Sequence, residues 1–317
     1  MEKDYKEPLI SICIPAYNAE KYINQTMDCL LNQTYRNLEL IVVDDGSTDK
    51  TLSILKSYSD TRLAVLQNPR KNAASARNHS FLNSAGKYIV FFDADDWIPS
   101  DFIECQLKCI KSENDIVAAN WGRFYRDDLS SFKSDPNVMQ VNLTYEEWIL
   151  AYWHTAAHIT PPGRLFFSRK LVEQTPLWDE SLTLNDDFQF FNELFFHCDR
   201  IIYSNSDFYY RSGIEGLSSK KSEFFYLSNY YSLKRGIELA LLKYPNSENI
   251  KICCANMWQN LKYQIYPSYT KLINRVDEEL AKLPSPNFKF PAGGITKILN
   301  LLFGWKLTTT LKHWLKV

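Results

Sequence analysis

Three carboxylates, Asp93, Asp95 and Asp96, fall within four positions directly after the apolar run Tyr88-Ile89-Val90-Phe91-Phe92. That run is rich in β-branched and aromatic residues and reads as a buried strand. Like charges about 5 Å apart repel by about 3 kcal/mol at an effective dielectric of about 20, so a strand ending this way needs something to offset the charge. A hard divalent cation held by carboxylate oxygens does so directly. The alternative is a solvated acidic turn in which Asp96 or Ser100 caps the next helix.

The elements that must position these groups alternate along the first 120 residues. Leu9–Pro15 is apolar and β-branched, and residues 20–32 carry helical apolar spacing through Ile23, Met27, Leu30 and Leu31. Leu38–Val43 is a second strand, followed by Asp44-Asp45-Gly46-Ser47-Thr48-Asp49, where Ser47 or Thr48 can cap a helix running to about Tyr58. A short strand at Leu63–Leu66, a helix at Ser75–Ser84, the strand at 88–92, a helix from about Ser100 to Ser112 and a strand at Asp115–Ala119 complete the series. Alternation with short connections predicts an α/β fold, a mostly parallel sheet covered by helices on both faces. Ligands in such sheets sit outside the carboxyl ends of the strands. Pro15-Ala16-Tyr17, Asp44-Asp45 and Asp93-Asp95-Asp96 all fall on that edge, and three polar groups aligned there describe one site. There is no GxGxxG and no GxxxxGK[ST], so a nucleotide would be held by carboxylates, metal and scattered side chains.

The 317 residues suffice for one large or two modest domains, and the net charge of −1 provides no global field for nucleic acid. Seven cysteines without a CxxC imply neither a disulfide framework nor a zinc knuckle. The charged opening MEKDYKEPLI lacks an apolar signal region. These features point to a reducing cytoplasm, where the Asn-x-Ser/Thr matches at Asn24, Asn32, Asn78 and Asn142 carry no glycan.

The segments ISICIPAYNAEKYI, LNQTYRNLELIVVDDGSTDKT, SARNHSFLNSAGKYIVFFDADDWI and WDESLTLNDDFQF, in this order over about residues 8–215, resemble glycosyltransferase family 2. The resemblance implies the GT-A fold and metal-assisted, inverting transfer of a sugar from a nucleotide-diphosphate donor of the UDP type. The acceptor would be a hydroxyl of a glycan or a lipid-linked glycan, of the kind used in bacterial polysaccharide synthesis. It makes Asp45 the acceptor for the imide N–H of a uracil-type base, with Pro15 and Tyr17 near the ring; that proton distinguishes uracil from cytosine. Arg77, in Ala76-Arg77-Asn78, would sit beside the nucleotide and orient Asp45 or a phosphate. Asp93-Ala94-Asp95 is the DxD segment, extended by Asp96, with Trp97 following. One of Asp95 and Asp96 would ligate Mn²⁺ or Mg²⁺ and the other the ribose. Such a cation would stabilise the charge developing on the leaving diphosphate. Asp187, after Asp179-Glu180-Ser181, aligns with the carboxylate that takes the acceptor's proton. Asp186 stands where the family has Glu, and can also cap a helix at 187–197. Arg164 resembles a family lysine at the phosphates, as a planar fork instead of a point charge. Tyr209-Tyr210-Arg211 and Gly216-Leu217-Ser218 resemble a donor-covering loop, with Arg211 and Ser218 as contacts.

His154 and His158 would share a helical face, but the zinc-protease pattern needs Glu where Thr155 stands, so they read as surface or acceptor-site residues. The catalytic domain is expected over 1–222, in a nucleotide half at about 8–120 and an acceptor half at 121–222. A helical extension at 223–283 and a proline/glycine linker at 284–294 follow. In 295–317 no Asp or Glu occurs, lysines recur, and apolar residues at 295, 298, 299, 302, 311, 314 and 315 fit one helical face. With Trp305 and Trp314 as interfacial anchors, this reads as a helix lying on an anionic membrane at the inner face of the cell. The alternative is a helix packed on the catalytic domain or on another chain. Two rival functions are a nucleotidyltransferase, which would need a glycine- and lysine-rich phosphate site, and a non-catalytic sugar-nucleotide scaffold, which should have lost Asp187 or the acidic triplet.

Overall fold

The computed structural model describes residues 7–157, 160–214 and 222–315. Cα packing divides the chain into two units, Met1–Tyr145 with Ile159–Ser219 and Glu146–His158 with Lys220–Val317.

The first unit is built on β1 (Ile10–Ala16), β2 (Leu38–Asp44), β3 (Leu63–Gln67) and β4 (Tyr88–Phe91), parallel strands in the order β3-β2-β1-β4. Helices α1 (Ile23–Leu31), α2 (Thr51–Ser57) and α3 (Ala73–Leu82) connect them. β1 is buried almost throughout, which is why it reads as a continuous apolar run and not as an alternation. After α4 (Phe102–Cys109) the sheet becomes mixed. β5 (Ile116–Tyr125) carries β8 (Ile201–Ser212) in parallel along one edge. Its other edge pairs antiparallel with β7 (Leu165–Ser168) and then β6 (Asp128–Ser134). β7 is also antiparallel to β4 and so joins the two halves. The remaining helices of this part are α6 (Arg169–Glu173) and α7 (Asp186–His197), while α5 (Tyr145–Tyr152) falls in the second unit from Glu146 onward. The expected fold class holds, with the correction that half of the sheet is mixed in direction.

Several local expectations change. Neither Ser47 nor Thr48 caps α2; Asp49 accepts from the Thr51 backbone N–H (2.9 Å) and hydroxyl (2.6 Å) instead. α3 begins earlier than expected, because the Asn72 side chain caps it through the Ser75 N–H. Asp96 does not cap α4, which begins at Phe102. Tyr209-Tyr210-Arg211 lies inside strand β8 and not on a loop.

In the second unit, α8 (Glu223–Lys243) and α9 (Glu248–Ile265) are capped by the Ser222 and Ser247 hydroxyls. α10 (Thr270–Leu280) is separate from α9, because Pro267 has no N–H with which to continue a helix. α11 (Ile295–Leu315) is interrupted at Gly304, whose φ of 74° and ψ of 166° are non-helical. Trp305 packs on Tyr263 (4.8 Å between centroids) and Tyr266 (5.1 Å), so it is an internal anchor and not an interfacial one. Among the described residues no helix is long and apolar enough to cross a membrane.

Candidate active site

The carboxyl ends of β1, β2 and β4 lie side by side, with Ala16 paired to Asp44 and Cys13 to Phe91. The turns after β1 and β2 are tied together. The Asp45 N–H donates to the Ala16 carbonyl at 2.8 Å, the Asn18 N–H to Ser47 Oγ at 3.0 Å, and the Thr48 N–H to Asn18 Oδ1 at 2.8 Å. Gly46 takes φ of +80°, a left-handed conformation that costs glycine nothing. Asp45 is buried at this edge, and its Oδ1 accepts from Asn68 Nδ2 (2.6 Å) and the Asn72 N–H (2.9 Å). Burial raises its pKa, with these hydrogen bonds opposing. Tyr17 is 59% exposed beside it, and Pro15 is half-buried at the end of β1.

The acidic triplet divides by environment. Asp93 accepts from Arg77 Nη2 at 2.8 Å. Asp96 is fully enclosed, with its Oδ1 accepting from the Arg211 backbone N–H at 2.8 Å and its Oδ2 buried without a partner. Burial and then the neighbouring Asp95 push its pKa well up. Asp95 is partly exposed, and its pKa is raised to about 7 by burial and by repulsion from Asp93. The turn is fastened from α1, where the Thr26 hydroxyl donates to the carbonyls of Ala94 (3.1 Å) and Asp96 (2.9 Å).

Arg211 backs this turn. Its Nε donates to the Asp95 carbonyl at 2.6 Å, and its other nitrogens reach Asp127 and Gln25. It is 2% exposed, so it braces the acidic turn from inside and does not face a donor from a loop. Arg164 is also interior, with Nε donating to the Ala119 carbonyl at 2.9 Å. Trp97 pairs its backbone with Tyr209 and sets its ring edge-on to that tyrosine at 4.8 Å. Ser218 and His158 lie outside the described residues.

The second acidic group comes from α7. Asn185, with φ of 62°, turns the chain into the helix, so Asp186 is its first residue and not its cap. Arg77 bridges the two groups. Its Nη1 donates to Asp186 at 3.0 Å while Nη2 holds Asp93, and its guanidinium lies 4.5 Å from the Trp178 ring centroid. It therefore points to these carboxylates and not to Asp45. Burial disfavours the Arg77 charge, but Asp93 and then Asp186 more than offset this and raise its pKa. Asp187 Oδ1 accepts from the Phe188 N–H at 2.8 Å. Burial first, and repulsion from Asp186 second, raise its pKa to about 7.

The residue composition alone did not reveal the polar frame. Asn78, one position after Arg77, accepts from the Trp178 N–H (3.0 Å) and donates to the Trp178 carbonyl (2.9 Å) and to Glu180 (3.1 Å). Asn72 donates to the Glu180 carbonyl at 2.9 Å. Together they fix the segment that leads into α7. The sequence signal was a run of asparagines at 68, 72 and 78, whose amides can both donate and accept.

Among the described residues no three of His, Cys, Asp and Glu converge as a closed metal cage. An open site fits better. Asp95 offers carboxylate oxygens, and the carboxylates at 93, 95, 96, 186 and 187 have Arg77 and Arg211 as cationic neighbours among the described residues. Oxygen-only donors of this kind suit Mg²⁺ or Mn²⁺ shared with a phosphate-bearing ligand.

Residues 11–175, just over half of the chain, match the family model described as Glycosyl transferase family 2. The glycosyltransferase GlyA of Streptococcus pneumoniae is 30% identical over 210 residues, covering 63% of this chain and 30% of that protein. The Escherichia coli UDP-Glc:alpha-D-GlcNAc-diphosphoundecaprenol beta-1,3-glucosyltransferase WfaP is 40% identical over 118 residues, covering 37% of this chain and 46% of that protein. The aligned parts thus span about a third to a half of these relatives. S. aureus TarS 1-349, solved in complex with UDP-GlcNAc, has a TM-score of 0.58 at 18% identity, covering 95% of this chain and 88% of that one.

Proposed function

Since this chain belongs to glycosyl transferase family 2, we propose that it moves a sugar from a UDP-type nucleotide donor to a hydroxyl of a glycan or lipid-linked acceptor, with inversion. The observation that carries the reading is the pairing of two carboxylate sets across Arg77. One set, at 93–96, lies at the β4 end, and the other ends in Asp187, whose pKa of about 7 suits a base. The UDP-GlcNAc bound to the TarS neighbour and the UDP-Glc and diphosphoundecaprenol in the WfaP name support the donor and acceptor classes.

In this reading Asp45 accepts the N–H of the uracil ring, and the exposed Tyr17 covers its face. The acceptor oxygen attacks the anomeric carbon while its proton passes to the Asp187 carboxylate. The bond from that carbon to the diphosphate breaks, and its electron pair leaves with the diphosphate. Asp95 is the residue to hold Mn²⁺ or Mg²⁺, which when bound would stabilise the diphosphate charge. Asp96 suits that part less well, because it is enclosed and its Oδ1 is already bonded to the Arg211 N–H. Arg77 favours the charged form of Asp187, against the burial and the Asp186 repulsion that raise its pKa to about 7. A lipid-linked acceptor would place the reaction at the cytoplasmic face of a membrane.

Incubation with a panel of nucleotide sugars and Mn²⁺ tests this. Release of nucleoside diphosphate from one donor, abolished by a chelator, is expected. If no donor is turned over and calorimetry finds none bound, the reading is wrong. The rate constant kcat/KM should rise with pH through about 7 as Asp187 loses its proton, and level off above. The apparent value will belong jointly to Asp187 and Asp186; a profile flat between about pH 5 and 8 would exclude a carboxylate base here. Asp95→Asn should weaken Mn²⁺ binding by about tenfold or more, read by Mn²⁺ electron paramagnetic resonance with UDP present. Asp96→Asn should leave that affinity unchanged, and the reverse pattern would exchange their roles.

A further inference from the structure

Helix α11 is packed with its sides reversed for a helix facing water. Thr308 is fully buried, and Thr296, Asn300 and Thr309 are partly so, whereas Leu301 is 85% exposed and Trp314 81%. Ile295, Ile298 and Leu302 share the outer arc with Leu301 in the first half, at spacings of three and four residues. Leu307 and Leu311 share it with Trp314 beyond the Gly304 break. A surface helix ordinarily turns its apolar stripe to the core and its polar face to solvent. Here the hydroxyls of Thr308 and Thr309 donate back to the carbonyls of Gly304 (2.9 Å) and Trp305 (2.8 Å), which makes their inward placement inexpensive. The orientation is held by Trp305, wedged among Tyr263, Tyr266 and Phe290.

The charge beside this face is of one sign. Lys297 and Lys306 are exposed and Lys312 is half-buried, and no Asp or Glu follows Glu279 in the sequence. We propose that the outer face of α11 docks on an anionic lipid bilayer, with the helix lying in the interface and its lysines at the headgroups. A second copy of the chain suits the face less well, since two-fold pairing would bring the same lysines against each other with no carboxylate between them. The inference does not depend on the transfer reaction.

Flotation of the full chain with phosphatidylcholine vesicles, with and without phosphatidylglycerol, tests it. At about 1 kcal/mol for each lysine at an anionic surface, partition should be about 100-fold stronger with phosphatidylglycerol and should fall as salt rises. The double variant Leu301→Glu/Leu302→Glu should lose flotation by at least about tenfold. Its thermal unfolding should match the parent, because both side chains are already exposed. Absence of flotation, or equal binding to both vesicle types, would overturn the proposal. So would light scattering that shows a dimer of the parent chain which the same variant dissociates, because the face would then belong to a second copy.

Discussion

Asp187→Asn is expected to lower kcat for sugar transfer by about 10²- to 10⁴-fold, the usual contribution of a positioned general base. The donor's Kd should change little, because Asp187 is bonded within its own helix, at Phe188, while Asp45 is held separately by Asn68. The amide keeps the size of the side chain and can still accept from the Phe188 N–H, so helix α7 should start unchanged. Steady-state kinetics with the donor identified from the panel, alongside calorimetry of donor binding, separates the two quantities. A variant that transfers at the parent rate would remove Asp187 as the base. A variant that loses donor binding instead would make it a positioning residue. The acid limb of the pH profile should disappear in the variant's residual activity, which a purely structural role for Asp187 would not produce.

Arg77→Met should have the largest effect on stability. Arg77 is the shared partner of Asp93 and Asp186, at 2.8 and 3.0 Å, with its own side chain only 10% exposed and the carboxylates 24% and 17%. Removing one member of a buried ion pair leaves its partners charged and unmatched, at a cost of about 3–5 kcal/mol. For a unit of this size that corresponds to a fall in Tm of about 6–20 °C. Adding Asp186→Asn to Arg77→Met should recover part of the loss, because one uncompensated charge goes with it. Arg77→Lys should sit between the parent and Arg77→Met, since a single ammonium cannot fork to two carboxylates as the guanidinium does. Differential scanning calorimetry decides the matter, and a Tm within about 2 °C of the parent would mean that Arg77 is not the link between the two carboxylate sets.

The two arginines divide the work around the acidic turn. Arg211 grips the backbone of Asp95 and receives the side chain of Asp96 on its own N–H, which fixes the turn against β8. Arg77 instead binds side chains and joins the turn to α7. The first sets where Asp95 stands, and the second sets the charge that Asp187 feels. Both depend on β8 and α7, elements more than 90 residues downstream of Asp93 and Asp95 in the chain.

Much of this was legible in the sequence alone. Strands β1, β2 and β4 announced themselves as apolar runs, and the carboxylates that follow them in sequence do lie at one sheet edge. The ordered segments carried the family. These are local signals, because periodicity and composition act over a few residues. The antiparallel half of the sheet was not legible, since β6 is exposed and polar and offers no apolar run. Nor could sequence show that Arg77 faces Asp93 and Asp186 and not Asp45, that Arg211 is buried, or that Trp305 points inward while Leu301 points out. Residue type and spacing state what a side chain is able to do. Its partner, its burial and therefore its charge state follow from segments about a hundred residues apart meeting in one low-dielectric place, and only the tertiary structure decides that.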